Sequence, residues 1–138
     1  MTAFDTDILS LLAKNMPAII ARAKAIPQVD QGVPIVVAEE VLRGQLATIR
    51  KAQAGQARCS VEDAYGYLEE TISVLRKVQS LEYSAAAHNL FLGLRYSIKI
   101  GSQDLRIACI AIVHGAKLVT RNARDFKLVP GLNLEIWN

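Results

Sequence analysis

The chain has 138 residues, 51% of them hydrophobic, 21% charged and only 6% aromatic, with a formal net charge of +3. That is the size and composition of one globular domain with an aliphatic core, here expected to span residues 1–138, and it excludes a disordered, fibrous or disulfide-scaffolded chain. No apolar run reaches the roughly 18 residues that span a bilayer and the N-terminus lacks the basic flank of a secretory signal, so a cytoplasmic protein with no membrane partner is expected.

Ala3 to Asp5 reads as a short strand that runs straight into a helix, with Ile8, Leu9, Leu11 and Leu12 at helical spacing. Met16 to Ile26 repeats the pattern, and Pro17 is tolerated in a first helical turn. The β-branched run VPIVVA, Val33 to Ala38, predicts a buried strand, followed by a helix from Glu39 to about Gly55. Ser60 opens a further helix with Glu62 and Asp63 in its first turn, where negative charge suits the helix dipole. A break at Gln79 to Glu82 precedes another helix from about Ser84. Gly101 and Ser102 then start a helix that is apolar nearly all round and therefore central. AKLVT is a strand, NARDF a turn, and LNLEIW a terminal strand behind Pro130 and Gly131. Helices alternating with short buried strands predict an α/β sandwich around a mostly parallel sheet.

Most acids in the chain suit a polar helix face, but a few recur where strands end or helices begin. Asp5 and Asp7 follow the first strand, Glu40 follows VPIVVA, Asp104 opens the central helix, and Asn122 and Asp125 follow LVT. In an open parallel sheet, ligands collect beyond the carboxyl ends of the strands, where such residues can converge. Carboxylates gathered there repel one another unless a divalent cation neutralises them, and oxygen-only ligands suit magnesium or manganese. A cation held this way supports phosphodiester hydrolysis. Taken singly, each residue is better served by a helix-capping or turn role, Asp7 as the cap of the first helix among them, and only the recurrence of the placement favours a shared site. The residues alone leave both readings open.

The blocks that carry these acids resemble, nearly end to end, the PIN-domain ribonucleases and, among them, the VapC-type toxins of toxin–antitoxin modules. FDTDILS is similar to the family's N-terminal hydrophobic-Asp-Thr-Asp/Asn block and VVAEEVLRG to its acid four residues before a glycine, so that Gly44 selects Glu40 over Glu39. IGSQDLRIACIAIVHGAKLVTRN is similar to the aspartate-led, alanine-rich helix and the strand behind it, and TRNARDF continues into the fourth polar position. The resemblance implies a PIN-like three-layer α/β/α sandwich and a Mg2+- or Mn2+-dependent endoribonuclease. It further implies an RNA substrate, a cognate antitoxin and a homodimer. It assigns Asp5, Glu40 and Asp104 as metal ligands, with Asn122, Asp125 and Thr120 completing the catalytic set. Position 122 is asparagine where many relatives carry aspartate, which removes a negative charge. Val36 and Ala38 stand where relatives often have a hydroxyl. Arg43, Arg95, Arg106 and Arg121 are candidate phosphate contacts. Two other readings share these residues: a housekeeping PIN nuclease, and a PIN-like binding module without catalysis.

No rival chemistry is legible. His88 and His114 have neither a paired histidine nor a cysteine at zinc-ligand spacing, the serines lack a G-x-S-x-G turn, and no glycine-rich phosphate loop is present. Cys59 and Cys109 are expected to be reduced and buried in helices. Leu12, Ile19 and Ile20 on the first two helices motivate the dimer.

Overall fold

The computed structural model describes residues 1–138 as five strands and seven α-helices. The strands are β1 Thr2–Phe4, β2 Gln31–Pro34, β3 Gln79–Leu81, β4 Lys117–Thr120 and β5 Asn133–Ile136. They form one sheet in the order β3-β2-β1-β4-β5, and every neighbouring pair is parallel. The helices are α1 Thr6–Ala13, α2 Pro17–Lys24, α3 Ile35–Gln53, α4 Val61–Lys77, α5 Ala85–Leu94, α6 Ser102–Val113 and α7 Ala123–Phe126. They flank a contiguous core running from Ala3 and Phe4 through the α6 residues to Trp137. The α/β reading holds, with the sheet wholly parallel.

From β1 the chain steps outward to β2 and β3, then returns to the other side of β1 for β4. The crevice between β1 and β4 is therefore the point where the strand order reverses, and such points collect ligands in open α/β sheets. Gly32 allows β2 to lie against its neighbours, because a Cβ there would come within 3.0 Å of Met1 Sδ and 3.1 Å of the Leu81 methyls.

Three elements differ from expectation, among them NARDF, expected as a turn, where Ala123–Phe126 close into helix α7. Val33 to Ala38 is not a strand: β2 ends at Pro34, and Ile35 begins α3. A short apolar run has no period that separates strand from helix, and here Val36, Val37, Ala38 and Val41 bury a helical stripe. Residues Gln79–Leu81 form edge strand β3, which its polar sequence QSL conceals. Ser60 and Ser84 cap α4 and α5 as their side chains predict, accepting from Asp63 N at 3.0 Å and Ala87 N at 3.2 Å. Cys109 is buried within α6, whereas Cys59 lies in the loop before α4 and is only half-buried.

Candidate active site

At the end of β1 the Asp5 N–H still donates to Val119 O at 3.1 Å, so the sheet holds this residue in place. Its side chain then begins α1: Oδ1 accepts from Ile8 N at 2.9 Å, which makes Asp5 the N-cap. The cap expected of Asp7 is thus taken by Asp5, and Asp7 stands exposed in the first turn of α1. The other Asp5 oxygen accepts from the hydroxyl of Thr120 at the end of β4. Thr120 is fully buried, and its Oγ1 also accepts from Asn122 N at 2.9 Å. One hydroxyl thereby ties the ends of β1 and β4 to the turn carrying Asn122.

Glu40 reaches the same crevice from the second turn of α3 rather than from a strand end, and Thr6 Oγ1 donates to its Oε2 at 2.9 Å. Asp104 projects from the first turn of α6. Asp5, Thr6, Asp7, Glu40, Asp104, Asn122 and Phe126 line a cleft of about 200 Å³ that contains no lysine or arginine. Glu39 turns away, bonded to Arg43 and to Gln103 Nε2 at 2.9 Å. Asp125 lies in α7 outside the lining, where its nearest ion partner is Arg124 at 3.6 Å, but its charge still acts on Asp104.

The electrostatics follow from this crowding. Burial raises the Asp5 carboxyl to about 6; the Thr120 and Ile8 bonds pull it down, and Asp7 and Asp104 push it up. Asp104 is likewise raised, by burial first and then by Glu40, Asp125 and Asp7. Two acids with raised proton affinity in a cleft without basic residues mark a concentration of negative charge that no lining side chain balances. The donors are all oxygens, which fits a hard divalent cation. No three carboxylates or imidazoles close around one point at coordinating distance, so the fit is to an ion that keeps much of its water.

The sequence reading left two groups without a role, Thr6 and Phe126. Thr6 had a signal, since it sits between the two aspartates of FDTDILS. Of the candidate phosphate contacts, Arg106 is packed 4.3 Å above the Phe91 ring and bonded to Gln103 at 3.0 Å, Arg95 stacks on Tyr96 at 4.7 Å, and Arg121 is exposed. His88 Nδ1 is within 2.9 Å of the Tyr83 hydroxyl, and His114 within 3.3 Å of Glu82 O, both away from the cleft.

No protein-family model matches the chain. A Haemophilus influenzae protein named Ribonuclease VapC1 is 28% identical, aligned over 96% of this chain and 95% of that protein. Among solved structures, a chain of VapBC2 from Rickettsia felis bound to a promoter DNA fragment superposes with a TM-score of 0.79 at 23% identity, covering 99% of this chain and 98% of that one. A chain of a toxin–antitoxin complex from Klebsiella pneumoniae gives 0.72 at 22% identity, covering 100% and 97%. The end-to-end resemblance to VapC ribonucleases read from the four sequence blocks is borne out, as is the PIN-like sandwich.

Proposed function

We propose that the protein is a VapC-like endoribonuclease toxin that hydrolyses phosphodiester bonds in RNA with a bound Mg2+ or Mn2+ and is neutralised by a cognate antitoxin. The observation that carries this is the cleft at the β1/β4 crevice, walled by four carboxylates with no basic residue among them. A phosphodiester cannot approach such a cleft unless a cation stands between the charges. Asp5, Glu40 and Asp104 would hold that cation, and Asn122 and Asp7 line the same cleft. When bound, it would supply charge neutralisation at phosphorus and an activated water.

The chain's own groups set the stage for that chemistry. Thr120 and the Ile8 N–H fix both Asp5 oxygens, so the carboxylate has no rotational freedom to lose on binding. Thr6 does the same for one oxygen of Glu40. Phe126, with 1% exposure, closes one wall against water. End-to-end similarity to a protein named Ribonuclease VapC1 and the fold shared with toxin–antitoxin complexes support the toxin reading. The chain also has no helix long and apolar enough to cross a membrane. A homodimer acting in the cytoplasm is part of the same proposal.

The test is RNA-end sequencing after induction, together with cleavage in vitro in Mn2+, for wild type, Asp5→Ala and Asp104→Ala. Both variants should be folded and inactive; full cleavage by both would overturn the reading. Asn122, an asparagine in the cleft lining, favours one other reading, a binding module without catalysis. Calorimetry showing no Mg2+ or Mn2+ binding at neutral pH would select it.

A further inference from the structure

Beyond Thr6 and Glu40 the acidic cleft opens into a second, larger cavity of about 370 Å³ that shares both residues with it. Its two long walls are rows at helical repeat spacing. Thr6 and Ser10 on α1 continue to Lys14 at its end, and Glu40, Gly44 and Thr48 stand one turn apart on α3. Residues four apart share a helix face, so both rows start at the acids and run outward side by side. At 1.5 Å per residue Lys14 lies about 12 Å along α1 from Thr6. Lys14 is exposed and takes part in no ion pair. From α4, Tyr67 adds a partly exposed ring to the lining.

Gly44 is the second observation. It sits in the interior of a 19-residue helix with no positive φ, where glycine costs about 1 kcal/mol relative to alanine. Nothing in the protein lies within 4 Å of where its Cβ would be. Internal packing therefore does not require a glycine here, and the missing side chain leaves the groove wider.

We propose that this groove is the subsite for the nucleotide next to the scissile phosphate of single-stranded RNA. The backbone passes over Gly44, the base lies against Tyr67, and the flanking phosphate meets Lys14. The hydroxyls of Thr6, Ser10 and Thr48 on an otherwise largely apolar surface, one free cation and one aromatic ring suit a nucleic-acid strand. An apolar helix of a protein partner would find only Val41, Ala64 and Tyr67 to bury against. The inference rests on the ribonuclease reading above, and it separates from that reading experimentally.

The experiment measures binding of a labelled random-sequence single-stranded RNA pool, with Mn2+ present, in the cleavage-dead Asp5→Ala background, adding Gly44→Leu, Gly44→Ala, Lys14→Ala or Tyr67→Ala. Mn2+ affinity and melting temperature are recorded for the same substitutions in the otherwise wild-type chain. Gly44→Leu and Tyr67→Ala should each weaken RNA binding about tenfold, with Mn2+ affinity unchanged and Gly44→Ala melting above the parent. Lys14→Ala should lower the slope of log affinity against log salt by about 0.7, the loss of one phosphate contact on a single strand. RNA affinity and salt slope unchanged in all four would overturn the subsite. If the wild-type chain cuts RNA no better than Asp5→Ala, the ribonuclease reading fails, while the binding arm still decides whether the groove takes RNA.

Discussion

Asp5 does three things at once: it extends the sheet through its N–H, caps α1 through Oδ1 and presents a carboxylate to the cleft. The third is opposed by burial, which raises the carboxyl from 3.8 to about 6. An acid whose folded-state value is raised leaves stability untouched below its unfolded value, and it destabilises progressively as pH climbs from about 4 to about 6. With one pKa unit worth about 1.36 kcal/mol, the ceiling on this loss is about 3 kcal/mol. Asp5→Asn keeps the cap, since asparagine caps as well as aspartate. In the absence of divalent cations it should therefore melt above wild type at pH 7.5 while being inactive. Scanning calorimetry at several pH values checks this, and a variant that melts below wild type with an unchanged pH slope would refute it. Thr120 acts in the opposite direction, because its hydroxyl holds the Asp5 carboxyl down. Thr120→Val should push that carboxyl further up and move the acidic limb of the pH–rate profile to higher pH. It should also cost about 1 kcal/mol of stability by leaving the part-buried Asn122 N–H without its acceptor.

At the scale of elements, α6 anchors the site. Leu105, Ile107, Ala108, Cys109, Ile110 and Ala111 are all buried, which fixes the first turn that carries Asp104. Ile107→Ala should cost about 2–5 kcal/mol, read as a shift in urea midpoint. Ser60 caps α4 and lines neither the acidic cleft nor the cavity beside it, so Ser60→Ala should lose about 1 kcal/mol and keep its RNA cleavage rate. Element order and type were legible because caps, prolines and 3.6-residue periods are local signals, as at Ser60, Pro17 and Ser84. The α3 start was not, because Val36 to Ala38 are buried on a helical stripe whose valines also favour strands. Strand β3 was hidden because an edge strand needs only its backbone to pair, and QSL pairs with β2 without any apolar alternation.

For the whole molecule, the coupling between acids and fold means that a cation bound only by the native state adds stability by mass action. Millimolar Mn2+ should raise the melting temperature at pH 7.5, and the gain should shrink below about pH 6, where Asp5 takes up a proton. Fluorimetry with and without Mn2+ at both pH values tests this; a gain that persists equally at pH 5 would place the cation elsewhere. The dimer is tested separately by light scattering at tens of micromolar, where a monomer alone would remove it from the proposal.

The sequence by itself determined the α/β class, the caps of α4 and α5 and the residue types at Asp5, Glu40, Asp104 and Asn122, since these depend on local periodicity and on blocks a few residues long. Only the tertiary structure decided which acids meet. The order β3-β2-β1-β4-β5 puts Thr120 against Asp5, 115 residues apart, brings Glu40 in from a helix and leaves Asp125 outside the cleft. Convergence is a property of strand order and helix crossing, and short-range pattern carries no information about either.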